Sequence, residues 1–219
     1  MGKESENNLI IETNRVCYNN LGELYEDGAK DLQILVNLGC WQEFIDSLSG
    51  KRVLNVGCGC GDASADLIKK GYELTNTDLS EEMVKIAKKN CPKAENLVLG
   101  ATELTKLGDQ KFDGIVAIHL LQSLNKDMAL DFLKQAHDLL VDSGKLFLVF
   151  TNTCYEKSGL QPEGDAVEGN MIYWLKWKIE DVISLVNKAN FKPTSVRMQK
   201  FIANTCGYME PFVIICEKK

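Results

Sequence analysis

Apolar positions recur every three to four residues early in the chain, and further on they gather into short unbroken runs. Leu32, Leu35, Val36 and Leu38, then Trp41, Phe44, Ile45 and Leu48, keep helical spacing, so residues 14–48 are expected to form two helices, joined or interrupted at Gly39. Strands are predicted over 51–56, 72–77, 97–99, 112–118 and 145–150. Helices are expected between them over 62–70, 80–90 and 127–140. Gly71 ends the first of these, and Ser80 before Glu81-Glu82 supplies an N-cap and an acidic first turn to the second. Pro92 stops that helix. Residues 151–170, rich in glycine and polar side chains, read as a long loop of the kind that covers sites. A helix over 179–189 and strands near 194–202 and 211–216 complete the pattern.

Alternating strand and helix implies an α/β fold with a mostly parallel, doubly wound sheet. The last two strands have no helix between them, which makes them a hairpin and an antiparallel C-terminal edge. The expected organisation is a single domain: a helical cap over 1–48, a core over 50–150, a substrate-side loop over 151–178, and a helix with a strand pair over 179–219.

Composition narrows the function. A formal net charge of −6 argues against a nucleic-acid-binding face, which needs cations to neutralise phosphates. No apolar run reaches transmembrane length, and the polar start MGKESENNL lacks the apolar stretch of a signal peptide, so a cytoplasmic protein is expected. Eight cysteines, with no Cys-x-x-Cys pair and only two histidines, read as reduced thiols and no metal site.

The strongest local signal is Val53-Leu-Asn-Val-Gly-Cys-Gly-Cys-Gly-Asp62. A strand ends, three glycines turn the chain, and a helix begins; glycine lets a ligand approach the backbone with no Cβ in the way. Sixteen residues beyond Asp62, Asp78 stands at the tip of the next strand, where a carboxylate can accept both hydroxyls of a ribose. The spacing is Gly-x-Gly-x-Gly, not the dinucleotide Gly-x-Gly-x-x-Gly, and Asp62 occupies the place of that motif's third glycine. A carboxylate there disfavours pyrophosphate, and the Gly-Lys-Ser/Thr ending of a P-loop is missing.

In VLNVGCGCGDAS, LTNTDLSEEMVKIAKK, KFDGIVAIHLLQSL and HDLLVDSGKLFLVF, in that order and spacing, residues 50–149 resemble the class I S-adenosylmethionine-dependent methyltransferases. The resemblance implies a Rossmann-like sheet with S-adenosylmethionine as cofactor and S-adenosylhomocysteine as product. It implies a glycine floor at Gly57, Cys58, Gly59 and Gly61, ribose binding by Asp78, and adenine contacts from Leu79 and Met83. Ile118 and His119 would lie near the methionine moiety. Met83 and His119 each also fit a purely structural role. Three departures stand out: Asn55, an expected cofactor contact, replaces an acid and loses its charge while keeping one acceptor; Gly100 or Ala101 stands where many members carry an Asp near the adenine; and Asp142-Ser143-Gly144 replaces a Pro-Gly-Gly turn. Backbone groups at Ala101, or Thr102, would then serve the adenine.

On the substrate side Tyr18 and Tyr25, seven apart, are expected to share one helix face, either covering the cofactor or merely packing. Tyr155 and Tyr173 flank the 151–170 loop, and Gln122 follows His119; these are candidate acceptor contacts. His119 is the candidate general base, needed only if the acceptor carries a proton. A small-molecule acceptor is expected, with its atom type and the oligomeric state unspecified by these residues. A non-catalytic cofactor-binding regulator and an NAD- or nucleotide-dependent enzyme are the competing readings.

Overall fold

A computed structural model of the chain describes residues 2–26, 39–151, 157–164, 167–198, 201–203, 207–209 and 211–219. Strands β1 (Arg52–Val56), β2 (Glu73–Asp78), β3 (Glu95–Val98), β4 (Phe112–Ile118), β5 (Leu140–Phe150), β8 (Phe191–Met198) and β11 (Phe212–Lys218) form one sheet, ordered β3-β2-β1-β4-β5-β11-β8. β1 to β5 are mutually parallel, while β11 runs antiparallel to both β5 and β8. The C-terminal hairpin therefore sits at the expected edge. Its second strand is inserted between β5 and β8, and β8 forms the rim.

The helices are α1 (Lys3–Leu21), α2 (Glu23–Glu26), α3 (Cys40–Asp46), α4 (Asp62–Lys69), α5 (Glu81–Asn90), α6 (Lys126–Leu139) and α7 (Ile179–Lys188). One face of the sheet is covered by α6 and α7, burying Phe132, Leu133, Val182 and Val186 against Leu54, Ile115 and Leu148. The other takes α3 and α4, where Trp41, Phe44 and Phe147 stack against Val53 and Leu67. None of these described helices is long and apolar enough to cross a membrane.

Two readings of the chain change. The first helix starts at Lys3, not near residue 14, and Gly22 ends it before Tyr25, which belongs to α2. Its polar first turns carry almost no apolar stripe; side-chain bonds hold it instead, including Asn7 to Asn125 (2.7 Å). Leu32, Leu35, Val36 and Leu38 lie outside the described residues. Within 151–170 the expected loop contains strand β6 (Gly159–Pro162), which pairs antiparallel with β7 (Met171–Trp174). A separate small pair joins β9 (Phe201–Ala203) and β10 (Gly207–Met209). Tyr155 falls outside the described residues.

Strand order reverses between β1 and β4. At such a switch point the loops leaving neighbouring strands diverge and open a crevice at their carboxyl ends. α1 crosses over that end of the sheet.

Candidate functional site

The crevice is a cavity of about 350 Å³, near the small end of the usual range for ligand pockets. Gly57 and Gly59 from the turn after β1 line it, as do Asp78 and Leu79 from the end of β2, Met83 from α5, and residues 99–103 from the turn after β3. Ile118, His119, Leu120, Ser123 and Leu124 enter from the end of β4, and Met128 from α6. Asn8, Ile11, Asn14 and Tyr18 of α1, with Tyr25 of α2, form the roof.

The turn after β1 follows from its glycines. Gly57 and Gly59 have φ of 66° and 51°, in the region that costs an L-residue about 1–2 kcal/mol. A Cβ on Gly57 would stand 3.1 Å from Leu120 Cδ1. Asp78 stands beside that turn and is itself held, since Gly59 N donates to its Oδ2 (2.9 Å) and Ser80 N to its Oδ1 (3.0 Å). Burial pushes its pKa up, against the opposing pull of the Ser80, Gly59 and Leu79 N–H groups. Each oxygen keeps a lone pair for a further donor. Ser80 caps α5 by accepting from Met83 N (3.1 Å), which places Met83 under the cavity.

Glu103 was not foreseen. Its Oε2 accepts from Gly100 N (3.1 Å), folding the turn back so that a carboxylate lines the cavity where β3 ends. An ion pair with Lys106 holds its pKa down. The Gly-x-x-Glu spacing is the available signal, since an acid three residues on can reach back to an N–H. Asn8, Ile11 and Asn14 were also missed, although with Tyr18 they form one stripe at helical spacing.

Tyr18 and Tyr25 meet edge to face at 5.6 Å, across the break between two helices rather than along one face. Burial drives the Tyr18 hydroxyl pKa up. Asn14 joins the roof to the floor: its Nδ2 donates to Ser123 O (3.0 Å), and its Oδ1 accepts from Tyr173 N (2.8 Å). On the other side Asn19 reaches α5, donating to Glu81 (2.7 Å) and accepting from Ser80 Oγ (2.6 Å).

Several expected contacts lie elsewhere. Asn55 does not face the cavity. It alternates to the α4 side of β1 and donates to Ser64 Oγ (3.0 Å); Ser64 in turn bonds Asn76, which donates to Asn96 (2.8 Å). The three asparagines sit side by side across β1, β2 and β3, so the ladder is set by strand register. Cys58 is buried outside the cavity lining, with its thiol pKa raised by burial and then by Asp78 nearby. Gly61 packs against Cys91 and Ala87 at the start of α4. Gln122 is fully buried behind His119, and Tyr173 meets α1 through its backbone rather than the cavity.

Residues 54–148 match the family model described as "Methyltransferase domain". The ubiquinone biosynthesis O-methyltransferase of Idiomarina loihiensis is 29% identical over 121 residues, 53% of this chain and 49% of that protein. The enzyme of the same name from Coxiella burnetii is 32% identical over 109 residues, 48% of this chain and 46% of that protein. The chain thus spans about half the length of these curated relatives. Among solved structures, the 1,6-didemethyltoxoflavin-N1-methyltransferase of Burkholderia thailandensis superposes with a TM-score of 0.71 at 19% identity, covering 100% of this chain and 92% of that one. An S-adenosylmethionine-dependent methyltransferase from Methanosarcina mazei gives 0.68 at 22%, over 79% and 95%. At these identities the structural likeness establishes the fold. With the match of residues 54–148 to the domain model and the four motifs in order, the chain is similar to the class I S-adenosylmethionine-dependent methyltransferases and shares their fold.

Proposed function

We propose that the protein transfers the methyl group of S-adenosylmethionine to a small, uncharged acceptor in this cavity. The observation that carries the proposal is the meeting of two neighbouring groups in one cavity: a two-glycine bend that carries no Cβ of its own, and a buried Asp78 whose oxygens each retain accepting capacity. These suit an adenosyl group. Asp78 would accept from both ribose hydroxyls. Leu79, Met83, Leu99 and Ala101 supply the apolar slot for the adenine, with Thr102 and Glu103 at its rim. Glu103 takes the place of the missing Asp there and would accept from the adenine amino group.

When bound, S-adenosylmethionine supplies a methyl on a cationic sulfur, and the C–S electron pair returns to sulfur as the acceptor's lone pair forms the new bond. The chain's share is alignment and water exclusion. Tyr18, Tyr25 and Ile11 roof the site, and His119 at the end of β4 is placed to receive an acceptor proton. Among the described residues lining the cavity there is no Lys or Arg. Beyond the cofactor's own sulfonium an anionic acceptor would have no counter-charge from these residues and would face Asp78 and Glu103, so a neutral aromatic or heteroaromatic O–H or N–H compound fits best. By their names, the Idiomarina relative is an O-methyltransferase of ubiquinone biosynthesis and the Burkholderia structural neighbour an N1-methyltransferase of 1,6-didemethyltoxoflavin.

The reading includes a cytoplasmic setting and no nucleic-acid partner, supported by buried thiols without disulfides among the described cysteines and by the net charge of −6. Asn55 lies outside the cavity and so gives no reason to prefer a non-catalytic binder.

Titration calorimetry with S-adenosylmethionine and S-adenosylhomocysteine tests the first half, and saturable binding is expected. Incubation with methyl-labelled cofactor and a panel of neutral phenols and N-heterocycles, against carboxylated analogues, tests the second. Absence of cofactor binding overturns the proposal; label transfer only to anionic acceptors overturns the substrate class.

A further inference from the structure

His119 is one of three described non-glycine residues with positive φ (56°). A left-handed residue at the end of a strand is held there by its surroundings, and such residues concentrate at functional sites. Here the main chain is tied on one side, His119 N donating to Val149 O (2.8 Å). On the other side the 3₁₀ turn Leu121–Ser123 is pinned three times in succession. Leu121 O accepts from Trp177 Nε1 (2.7 Å), Gln122 O from Leu175 N (2.7 Å), and Ser123 O from Asn14 Nδ2 (3.0 Å). Two parts of the chain, α1 and the segment that joins β7 to α7, fix this turn, and Gln122 itself lies outside the cavity lining.

That rigid turn delivers the Gln122 side chain, 0% exposed, to the back of the imidazole, with its amide 3.1 Å from His119 Nδ1. The other Gln122 amide atom is buried and receives no hydrogen bond when assigned as oxygen. Amide oxygen and nitrogen are told apart only by their partners. With the oxygen on the imidazole side, it accepts from Nδ1–H, and the lone pair of the ring then resides on Nε2. With the nitrogen there, Nδ1 must be bare and Nε2 must carry the proton, a ring that cannot take up another proton without the amide turning. A protonated imidazole has N–H on both sides, and only the oxygen orientation accommodates it.

We infer that Gln122 is a positioning residue: its buried amide oxygen holds His119 in the Nδ1–H tautomer and so makes Nε2 the proton acceptor of the cavity. The inference rests on the proposed transferase reading and adds how its base is prepared. The acceptor's X–H proton passes to Nε2, the X electron pair forms the bond to the methyl carbon, and the resulting imidazolium is stabilised by Nδ1–H donating to Gln122. Among the described residues, the ionisable groups lining the cavity with the ring are Tyr18, Tyr25, Asp78 and Glu103.

With only two histidines in the chain, nitrogen-15 histidine labelling gives two assignable rings, His137→Gln removing the second. In the unliganded wild type at neutral to mildly alkaline pH, His119 is expected as the Nδ1–H tautomer, against the Nε2–H preference of histidine in water. Gln122→Leu should revert it to Nε2–H, a change of roughly tenfold in the tautomer ratio for one lost hydrogen bond. Gln122→Glu, which keeps the acceptor oxygen, should retain Nδ1–H and raise the pH at which the ring protonates. Calorimetric S-adenosylmethionine affinity should stay within about twofold in both, because Gln122 lies outside the cavity. A wild-type ring in the Nε2–H form, or a Gln122→Leu ring unchanged from wild type, overturns the inference. If Gln122→Leu fails to fold, the wild-type tautomer and Gln122→Glu decide alone. Loss of cofactor binding in the wild type would instead strike the transferase reading.

Discussion

The two halves of the cavity are built by different means. The adenosyl half, at the ends of β1, β2 and β3, is made of main chain and short-range turns: Gly57 and Gly59, Asp78 two residues from the Ser80 that it bonds, and Glu103 three residues from Gly100. The acceptor half, around His119, is assembled from α1, β4, the 3₁₀ turn and β7, joined by bonds such as Asn14 to Ser123 and Tyr173 that span more than a hundred residues. Local construction ties affinity to single residues. Long-range construction spreads the cost of a defect over the fold.

The sharpest test of the local half is Asp78→Ala. It removes a charged acceptor for two hydroxyls, each such bond being worth about 1.5–3 kcal/mol, so S-adenosylmethionine affinity should fall at least about a hundredfold by calorimetry. Thermal unfolding must accompany it, because Gly59 N and Ser80 N also lose their partner. The same carboxylate predicts two opposed pH responses. Its pKa is raised in the folded protein, so the folded state binds the proton more readily than the unfolded one. The unliganded protein should therefore lose part of its stability as pH rises through the folded pKa. Cofactor affinity should rise across the same window, which lies above the ordinary carboxylate range. Thermal shifts with and without ligand, run as a pH series, would show the curves diverging; curves moving together would exclude Asp78 as the ribose acceptor.

For the long-range half the matching test is Asn14→Ala. Two partly buried partners, Ser123 O and Tyr173 N, would lose their bonds at a cost of about 1 kcal/mol each. Thermal unfolding should drop by several degrees, given roughly 2–4 °C per kcal/mol for a chain of this size. Label transfer should fall further than cofactor affinity, because the roof over His119 loosens while the adenosyl contacts stay. Equal losses in both would mean that the two halves are not separable.

This difference also explains what could be read from the chain beforehand. The core strands and the helices between them announce themselves by periodicity, and the adenosyl wall by a glycine spacing and one acid at a strand tip. The start of α1 could not be read: its first six residues, Lys3–Asn8, carry no apolar side chain, and the helix is fastened by Lys3 to Asp127, Asn7 to Asn125 and Arg15 to Glu81. The β6–β7 hairpin escaped because its strands are four residues each and one ends in Pro162, too short for alternation to register. Gln122 looked like a cavity residue because it is polar and follows His119, but the 3₁₀ turn rotates it behind the ring. Asn55 was misplaced for a similar reason. Proximity to the glycine turn said nothing about which face of β1 it takes.

A smaller effect is expected from Gly57→Ala. The left-handed backbone disfavours any Cβ by about 1–2 kcal/mol, and the methyl would press on Leu120 Cδ1, a movable group. The unfolding temperature should fall by about 2–8 °C, and affinity for S-adenosylmethionine should fall about tenfold as the added methyl narrows the cavity floor. A much larger loss would mean that the turn, and not merely its surface, had been rebuilt.

The smallest effect on binding is predicted for Asn55→Ala, although Asn55 lies in the glycine-turn motif itself. Its side chain feeds the Ser64–Asn76–Asn96 ladder on the α4 side of β1, so the loss should appear as about 1 kcal/mol of stability for one broken hydrogen bond. Cofactor affinity should remain within about twofold, since the ladder and the cavity share no bonded group. Asn55 and Asp78 stand on adjacent strands, both near the glycine turn and both polar and buried. What separates them is position along the strands, not the pleat: Asn55 lies level with Asn76, inside the sheet, while Asp78 stands two residues further on at the tip of β2. If alanine at 55 cost as much affinity as alanine at 78, the wall between ladder and cavity would be wrongly placed, and binding would depend on the sheet's interior as much as on the strand tips.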